Sequence, residues 1–505
     1  MRRLYIFSLL LLFANVSAHA TNYYVSPSGN DANNGHSPAT AWQTLAKVNA
    51  VTFQPGDKIL FQSGGVWNGV LAPLGSGVAD RPIVIDKYGK NILPVIHGPG
   101  TDNSTVFSLH DQSYWEVNNL EITNTQTSGG TARLNGIAVA GPAGGTGVNH
   151  IYIKNCFIHD VNSISRESDP NFSKGCGGII FTGVTNDVLI KGCHIKNVMV
   201  EGIRNSSEVK CSRFIIDSNL VEDVYGDGIV LHGVKDHSAI THNVLRNTCY
   251  NTSIANYAGA WTYLSDTTLV AYNEVSGITG GGRYDGEPFD ADIDTNGDIF
   301  EYNYSHDNAN GFMLFMSDAK NIIVRYNLSV NDVNDKTTNK NDKKIFFFQK
   351  SDNSANRYIY NNTFYVTADV AYLFNTACCG TFSNNIFYCA GVVNQFCSTA
   401  VNPSSSFYNN CFYPQAVVSV NGFKENASGN IYANPGFINA GFHGNGIANA
   451  CAAYALSSAS PCRNAGKMIV GNNKYDFAGN NIVNRNYAAI GAIWPATKAS
   501  RKSKK

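Results

Sequence analysis

Residues 215–247 read IIDSNLVEDVYGDGIVLHGVKDHSAITHNVLRN. This stretch contains one eight-residue pattern twice, as IDSNLVED and ITHNVLRN, with Asn219 and Asn243 at the equivalent position. In each copy short runs of alternating apolar residues flank the Asn, which is typical of strands with one buried face. The interval of 24 residues is long enough for one coil of three short strands and three turns.

The same pattern recurs along most of the chain. Its central position is occupied by Asn119, Cys156, Cys193, Asn219, Asn243, Asn273, Asn303, Asn327, Asn362, Asn385 and Asn410. The longer intervals add a loop to the same unit. Stacked strands lie about 4.8 Å apart, so an Asn at one turn of every coil meets the backbone of its neighbour and tolerates a left-handed turn. The sequence therefore predicts an all-β protein, a single-stranded parallel β-helix of about eleven or more coils.

Both ends of the chain carry patterns that fit this solenoid. Thr40-Ala41-Trp42-Gln43 predicts the start of a short amphipathic helix, with Trp42, Leu45 and Val48 on one face. We expect residues 21–56 to form an N-terminal cap that covers the first coil, and residues 441–497 to form a closing coil. The β-helix domain then spans residues 21–497, followed by a basic, disordered tail at 498–505.

Two segments resemble parts of known proteins. YYVSPSGNDANNGHSPATAWQTLAKV, residues 23–48, resembles the N-terminus of secreted right-handed parallel β-helix proteins, including family-nine pectate lyases. YALSSASPCRNAGK and YDFAGNNIVNRNYAAIGAI, residues 454–467 and 475–493, resemble their closing coil. The resemblance implies a right-handed, pectin-lyase-like fold and activity on carbohydrate.

The first 20 residues have the features of a secretory signal. Arg2 and Arg3 precede an apolar run, and Ala18-His19-Ala20 is a small-residue cleavage site. We therefore expect a secreted or periplasmic monomer with no membrane span. The 37 Lys and Arg residues balance 37 Asp and Glu residues, and this neutral charge argues against a nucleic-acid partner.

The loops indicate where a polysaccharide would bind. The extra residues of the long coils follow the Asn position, so they should emerge along one edge and form a wall beside the next strand. Alternation predicts which residues of that strand face outward: Ile180, Thr182, Arg204, Val230, His232, Ala260, Thr262, Asp290, Asp292, Met313, Phe315, and Gln349 or Lys350. The same alternation places Trp261 inward.

Asp290 and Asp292 are the predicted catalytic pair, with His232 as a third candidate. The two residues are separated by one residue on the predicted strand, which places their Cα atoms about 6.6 Å from each other. This distance suits a pair of carboxyl groups that act as acid and base in glycoside hydrolysis. The outward Asp pair also resembles that of polygalacturonase-type hydrolases. The Gly-His-Gly and Arg-x-Lys motifs of that family are not present as such. The leading prediction is hydrolysis of a uronate-containing polysaccharide.

Two other interpretations remain open at this point. Asp285, Glu287 and Asp294 lie close in sequence to the Asp pair and could bind calcium through hard oxygen ligands. The resemblance to pectate lyases then implies calcium-dependent β-elimination, in which Lys350 or Lys235 is the base and Arg204 neutralises the uronate. Tyr263 and Tyr284 are predicted to stack on sugar rings. The second alternative is a non-catalytic carbohydrate-binding or adhesive β-helix, since this fold serves several functions.

Overall fold

The chain winds through three long sheets whose neighbouring strands run parallel. The computed structural model describes residues 20–126, 133–163, 174–250, 256–280, 285–333, 343–350, 356–375, 379–399, 402, 404–414, 429–483 and 485–495. Consecutive strands pass from sheet to sheet, and each pairs with the strand three positions later in the winding. The predicted parallel β-helix is confirmed.

The first sheet has 14 strands among the described residues. They are Asn22–Val25, Lys58–Gln62, Ile83–Tyr88, Trp115–Asn118, Val148–Lys154, Thr185–Lys191, Phe214–Asp217, Ala239–Thr241, Leu269–Ala271, Ile299–Glu301, Ile323–Arg325, Tyr358–Tyr360, Thr381–Ser383 and Ser406–Tyr408.

The second sheet has 13 strands within the described ranges. They are Val66–Asn68, Val95–His97, Glu121–Asn124, Phe157–Val161, His194–Val198, Leu220–Val224, Val244–Thr248, Glu274–Ser276, Tyr304–His306, Leu328–Val330, Thr363–Val366, Ile386–Cys389 and Cys411–Tyr413.

The third sheet has 11 strands in the part of the chain that the structure describes. They are Thr105–His110, Asn135–Ala140, Gly177–Thr182, Glu201–Ser212, Ile229–Lys235, Ala260–Ser265, Phe289–Ala291, Met313–Phe315, Phe346–Phe348, Val370–Asn375 and Val393–Cys397. A small separate sheet pairs Thr52–Phe53 with Leu74–Gly75.

The recurring Asn residues form a continuous ladder in the turn before the second sheet. Asn243 Oδ1 accepts hydrogen bonds from the backbone N and the Nδ2 of Asn219, each at 2.9 Å, and Asn219 Nδ2 also donates to Ile190 O at 3.0 Å. The same bonds repeat from coil to coil as far as Asn430. Because these amides are buried, the ladder satisfies backbone groups that would otherwise be unpaired.

Two details of the predicted ladder are corrected by the strand register. Glu121 pairs with Phe157, so the residue equivalent to Cys156 is Leu120, and Asn119 lies one position too early. The left-handed conformation belongs to the residue before each ladder position, for example Ser218 at φ 59° and His242 at φ 55°. The ladder Asn is selected for its four hydrogen bonds rather than for its backbone angles.

The predicted N-terminal helix exists but begins later than the sequence indicated. It spans Leu45–Asn49 with Thr44 as its N-cap, and Leu45 and Val48 are buried in the main core. The capping box belongs instead to a 3₁₀ helix at Pro38–Thr40 that Ser37 begins. That this helix covers the first coil remains a prediction. Near the other end lie an α-helix at Ile447–Ala453 and a 3₁₀ helix at Pro461–Asn464.

Candidate functional site

A cavity of about 170 Å³ opens on the outer face of the third sheet. Its described lining consists of Lys174, Asp227, Asn256, Ala258, Trp261, Asp285, Asp290, Asp292, Ile293, Leu314 and Met316. Lys174, Asn256 and Asp285 belong to the extra residues, here called inserts, of three long coils. The cavity therefore brings the predicted Asp pair together with one described residue from each of these three inserts.

Asp290 is one of the buried carboxyl groups that line this cavity. It lies on the strand Phe289–Ala291, is only 3% exposed, and its buried Oδ1 accepts no hydrogen bond. Burial raises the pKa of Asp290 well above its usual value, and the neighbouring carboxylates of Asp292 and Asp285 raise it further. These effects favour the protonated form of Asp290.

Asp292, which directly follows the end of this strand, has a more polar environment than Asp290. Its Oδ1 accepts a hydrogen bond from the backbone N of Ile293 at 2.7 Å. Burial raises the pKa of Asp292, but that hydrogen bond and the positive charges of Lys174 and Arg204 act in the opposite direction. The two carboxyl groups thus differ in burial and in charge environment, which is the arrangement that separates an acid from an ionised partner.

Lys174, which is half-buried, and Asp227, which is buried, form an ion pair in the cavity wall. Lys174 Nζ lies 3.5 Å from Asp227 Oδ2, and it also lies over the ring of Tyr257 at 4.5 Å. Asp227 Oδ1 accepts hydrogen bonds from the backbone N of Ala258 at 2.8 Å and from Trp261 Nε1 at 2.9 Å. Among the described lining residues, four carboxyl groups therefore face a single ammonium group, and that ammonium is paired.

Arg204 lies beside the cavity, on the same outward column as Asp290. Strand pairing aligns this column as Ile180, Arg204, Val230, Trp261, Asp290, Leu314 and Phe347. The Arg204 guanidinium lies 5.7 Å from the Trp261 ring and pairs with Glu201 at 2.7 Å. Burial raises the pKa of Glu201 to about 8 despite this partner.

The register corrects five predicted orientations in this sheet. Ala260 and Thr262 pair with the core residues Ile229 and Leu231 and therefore point inward, so Trp261 points outward. Met313 and Phe315 belong to the main core, and Leu314 is the outward residue of that strand. Inward positions filled by small residues such as Ala260 and Thr262 removed the apolar signal on which the prediction relied.

His232 and Tyr263 pack together on the neighbouring outward column. They occupy paired positions on adjacent strands, and their rings meet edge to face with centroids 4.5 Å apart. Burial and the charge of Arg204 together lower the pKa of His232 to about 4, so His232 is neutral at physiological pH. Neither residue lines the cavity, which places them on the adjoining sheet face rather than with the Asp pair.

Several predicted site residues are not brought to the cavity. Lys350 is exposed after the strand Phe346–Phe348 and is not among the cavity-lining residues, and Tyr284 lies outside the described residues. Glu287 is buried beside Lys344 at 3.4 Å, and Asp294 is exposed in a left-handed turn at φ 56°. Asp285 alone of the three proposed calcium ligands lines the cavity.

The calcium prediction is not supported by this arrangement. Within the described ranges no group of three or more His, Cys, Asp or Glu side chains is placed to hold a metal ion. Glu287 turns toward a lysine and Asp294 toward solvent, so these carboxylates do not converge on one point. A calcium ion needs six or more oxygen ligands around it.

Sequence reasoning missed Lys174 and Asp227. Lys174 ends an insert that has no periodic pattern, so no alternation rule assigns it a direction. Asp227 had a weak signal: like Glu201, it directly precedes a Gly at the start of a strand of the third sheet.

No helix among the described residues is both long and apolar enough to cross a membrane.

Comparison with known proteins places the fold among β-helices. Residues 101–275 match a family described as a right handed beta helix region. A lacto-N-biosidase of Bifidobacterium longum subsp. longum is 28% identical over 482 residues, which cover 74% of this chain and 29% of that protein. The chain thus spans less than a third of the length of this curated relative.

Two solved structures share the architecture. The GH136 lacto-N-biosidase from Eubacterium ramulus aligns with a TM-score of 0.56 and 22% identity, covering 77% of this chain and 67% of that chain. XylC in complex with xylose aligns with a TM-score of 0.51 and 12% identity, covering 95% of this chain and 99% of that one. These similarities agree with the strand topology and support the right-handed parallel β-helix.

Proposed function

We propose that this protein is a glycoside hydrolase that cleaves a neutral glycan in the cavity of the third sheet. Asp290 serves as the general acid, and Asp292 serves as its ionised partner. The observation that carries the proposal is a pair of carboxyl groups in unlike surroundings that line one cavity, Asp290 on the strand Phe289–Ala291 and Asp292 just after its end.

The two roles follow from the environment of each carboxyl group. Asp290 is buried and its raised pKa favours the protonated form, which can donate a proton to the departing glycosidic oxygen. Asp292 lies near Lys174 and Arg204, whose charges favour its ionised form. An ionised carboxylate at that point can act on the anomeric carbon directly or through a water molecule. The similarity to proteins named lacto-N-biosidases supports hydrolysis.

The charge of the cavity favours a neutral sugar over a uronate. Among the described lining residues, Asp227, Asp285, Asp290 and Asp292 are opposed by Lys174 alone. Lys174 pairs with Asp227, and Arg204 nearby pairs with Glu201. Elimination on a uronate needs a cation that neutralises the substrate carboxylate, whereas these cations are already paired within the protein. This is why we propose hydrolysis rather than β-elimination.

The proposal is tested with the purified full chain on a panel of neutral and uronate glycans. The panel includes glycosides of lacto-N-biose, and products are read as reducing ends and as unsaturated-uronide absorbance. We expect reducing ends without unsaturation, and a fall in kcat of about 10²–10⁴ in Asp290→Asn and in Asp292→Asn. Asp294→Asn is the matched control, because Asp294 lies in the same coil but is exposed.

An aryl glycoside with a good leaving group separates the two roles. Such a substrate needs little protonation, so Asp290→Asn should recover much of its activity on it while Asp292→Asn should not. Asp285→Asn is assayed beside them because Asp285 also lines the cavity. Unsaturated products that a chelator abolishes would overturn the proposal in favour of a lyase, and binding without cleavage would favour an adhesive protein.

We also propose that the enzyme acts outside the cytoplasm, which rests on residues 1–20 alone.

A further inference from the structure

Asp227 is a buried carboxylate at the cavity that the acid and base roles of the Asp pair do not use. It is fully buried in the turn before the strand Ile229–Lys235. Both of its oxygens have partners. Oδ1 accepts hydrogen bonds from the backbone N of Ala258 and from Trp261 Nε1, and Oδ2 forms an ion pair with Lys174 Nζ. One side chain therefore connects three separate parts of the cavity wall.

The groups that Asp227 holds are the apolar and cationic parts of that wall. Trp261 stands next to Asp290 on the outward column, because the two residues are paired across adjacent strands. Lys174 reaches the cavity from the end of an insert, and its ammonium lies 5.8 Å from the Trp261 ring. Without an acceptor for Nε1 and an anion for Nζ, both side chains would lose the contact that fixes their direction.

We propose that Asp227 is a positioning residue of the glycan-cleaving site, which fixes Trp261 as a wall for the sugar and Lys174 as the cation that faces Asp292. This inference rests on the proposed function, because it assigns Asp227 a part in that same site. Trp and Tyr side chains commonly provide the apolar surface of ligand cavities, while a few polar groups set the orientation. Asp227 acts through its neighbours and does not itself transfer a proton.

The charge of Asp227 also acts on the Asp pair. Asp290 faces the charges of Asp292, Asp285, Glu287 and Asp227, and Asp227 raises its pKa. Asp292 faces Lys174, Arg204 and Asp227, and Asp227 raises its pKa as well. Removing this negative charge must therefore lower the pKa of both groups. The charge of Asp227 also raises the pKa of Glu201, which pairs with Arg204.

The test is Asp227→Asn, which keeps an oxygen acceptor for Ala258 and Trp261 but removes the charge. We expect both limbs of the pH profile of kcat/KM to move to lower pH by about 0.5–1 unit, with a maximum about tenfold lower. The matched control is Asp217→Asn on the first sheet, where the carboxylate also has a lysine partner, Lys191, at 2.8 Å. This control should keep the profile of the wild type.

A second readout does not depend on activity. The fluorescence of Trp261 is obtained by subtracting the spectrum of Trp261→Phe, in the wild-type background and in an Asp227→Ala background, in which Trp261 Nε1 loses its acceptor. We expect the Trp261 spectrum and its quenching by acrylamide to change when Asp227 is replaced. A lower melting temperature with an unchanged pH profile and an unchanged Trp261 spectrum would overturn the proposal. A wild-type protein that cleaves no glycan would contradict the proposed function, while the fluorescence result would still decide whether Asp227 positions Trp261.

Discussion

Asn303 shows how much a single ladder residue holds in place. Its Oδ1 accepts from the backbone N and the Nδ2 of Asn273, and its Nδ2 donates to Val270 O and to Asn327 Oδ1. The four bonds have lengths between 2.8 and 3.0 Å, and the side chain is completely buried. Loss of the amide therefore removes the partner of buried polar groups in two adjacent coils.

We therefore predict that Asn303→Ala lowers the free energy of unfolding by at least about 3 kcal/mol. Urea denaturation followed by circular dichroism measures this difference. Asn445→Ala is the control, because Asn445 is exposed and outside the ladder, and it should change stability by less than about 0.5 kcal/mol. Equal stability of the two variants would show that the ladder bonds contribute nothing net.

At the level of elements, a column of glycines lets the strands of the third sheet begin in close contact. A Cβ on Gly202 would lie 2.5 Å from Gly228 O, and one on Gly228 would lie 2.6 Å from Gly259 O. Neither position has a positive φ, so the requirement comes from the closeness of the next coil rather than from the backbone angle. Gly228 also directly follows Asp227, so the spacing of coils and the wall of the cavity depend on the same turn.

Gly228→Ala should consequently reduce both stability and activity. The added methyl group has to push backbone away, which costs about 1–3 kcal/mol, and the displacement reaches Asp227. Thermal unfolding and kcat on the best glycan of the panel measure the two effects. Gly144→Ala is the matched control, because a Cβ there meets nothing within 4 Å. A variant at Gly228 with the melting temperature of the wild type would contradict this account.

The elements were more predictable from sequence than the site. The intervals between Asn residues located the coils because each turn repeats one chemical requirement, the pairing of buried backbone groups. The cavity has no such repetition. Trp261 takes an outward position because its indole finds an acceptor in Asp227, 34 residues earlier, and alternation within one strand carries no information about that partner. Asp290 and Asp292 were predicted because two acids at alternating positions of a strand pattern are unusual in themselves.

On the scale of the whole molecule, the C-terminal segment packs against the middle coils. Glu274 accepts from the backbone N of Gly446 at 3.1 Å, and Tyr304 donates to Gly444 O at 3.0 Å. His306 lies beneath this contact, with Nδ1 3.0 Å from Asp307 and Nε2 3.7 Å from Glu274. Asp307 in turn contacts His443 at 3.1 Å, and Arg246 lies 4.0 Å from Glu274. A group of charged side chains, with His306 and Glu274 buried at its centre, thus connects residues that are distant in sequence.

The stability of this contact should depend on pH in a defined direction. Burial alone would lower the pKa of His306, but Asp307, Glu274 and the charge of Asp332 raise it to about 9. A raised pKa means that the stabilisation is complete below about pH 6.5, the unfolded value, and is lost as the pH rises through 9. The pKa values of Glu274 and Asp307 are lowered, so their contribution is lost on the acid side, below about pH 4.

We predict that His306→Gln is less stable than the wild type by about 3 kcal/mol at pH 6, and that the difference shrinks by pH 10. Melting temperatures across this range provide the measurement. His242→Gln is the control, since His242 is also near a carboxylate, Asp217 at 3.0 Å, but is largely exposed. A difference between His306→Gln and wild type that is the same at pH 6 and pH 10 would mean that packing alone accounts for the role of His306.

The Asn ladder also bears on how such a chain changes over generations. Each rung bonds to the rungs before and after it and to a backbone carbonyl of the preceding coil, and all rungs use the same atoms. Duplicating or deleting the stretch between two equivalent asparagines, such as Asn219 and Asn243, would leave the new neighbours with the same hydrogen bonds as the old ones. One coil is therefore the unit whose duplication or deletion preserves the contacts between coils. Related proteins can differ in the number of coils without requiring a new type of contact.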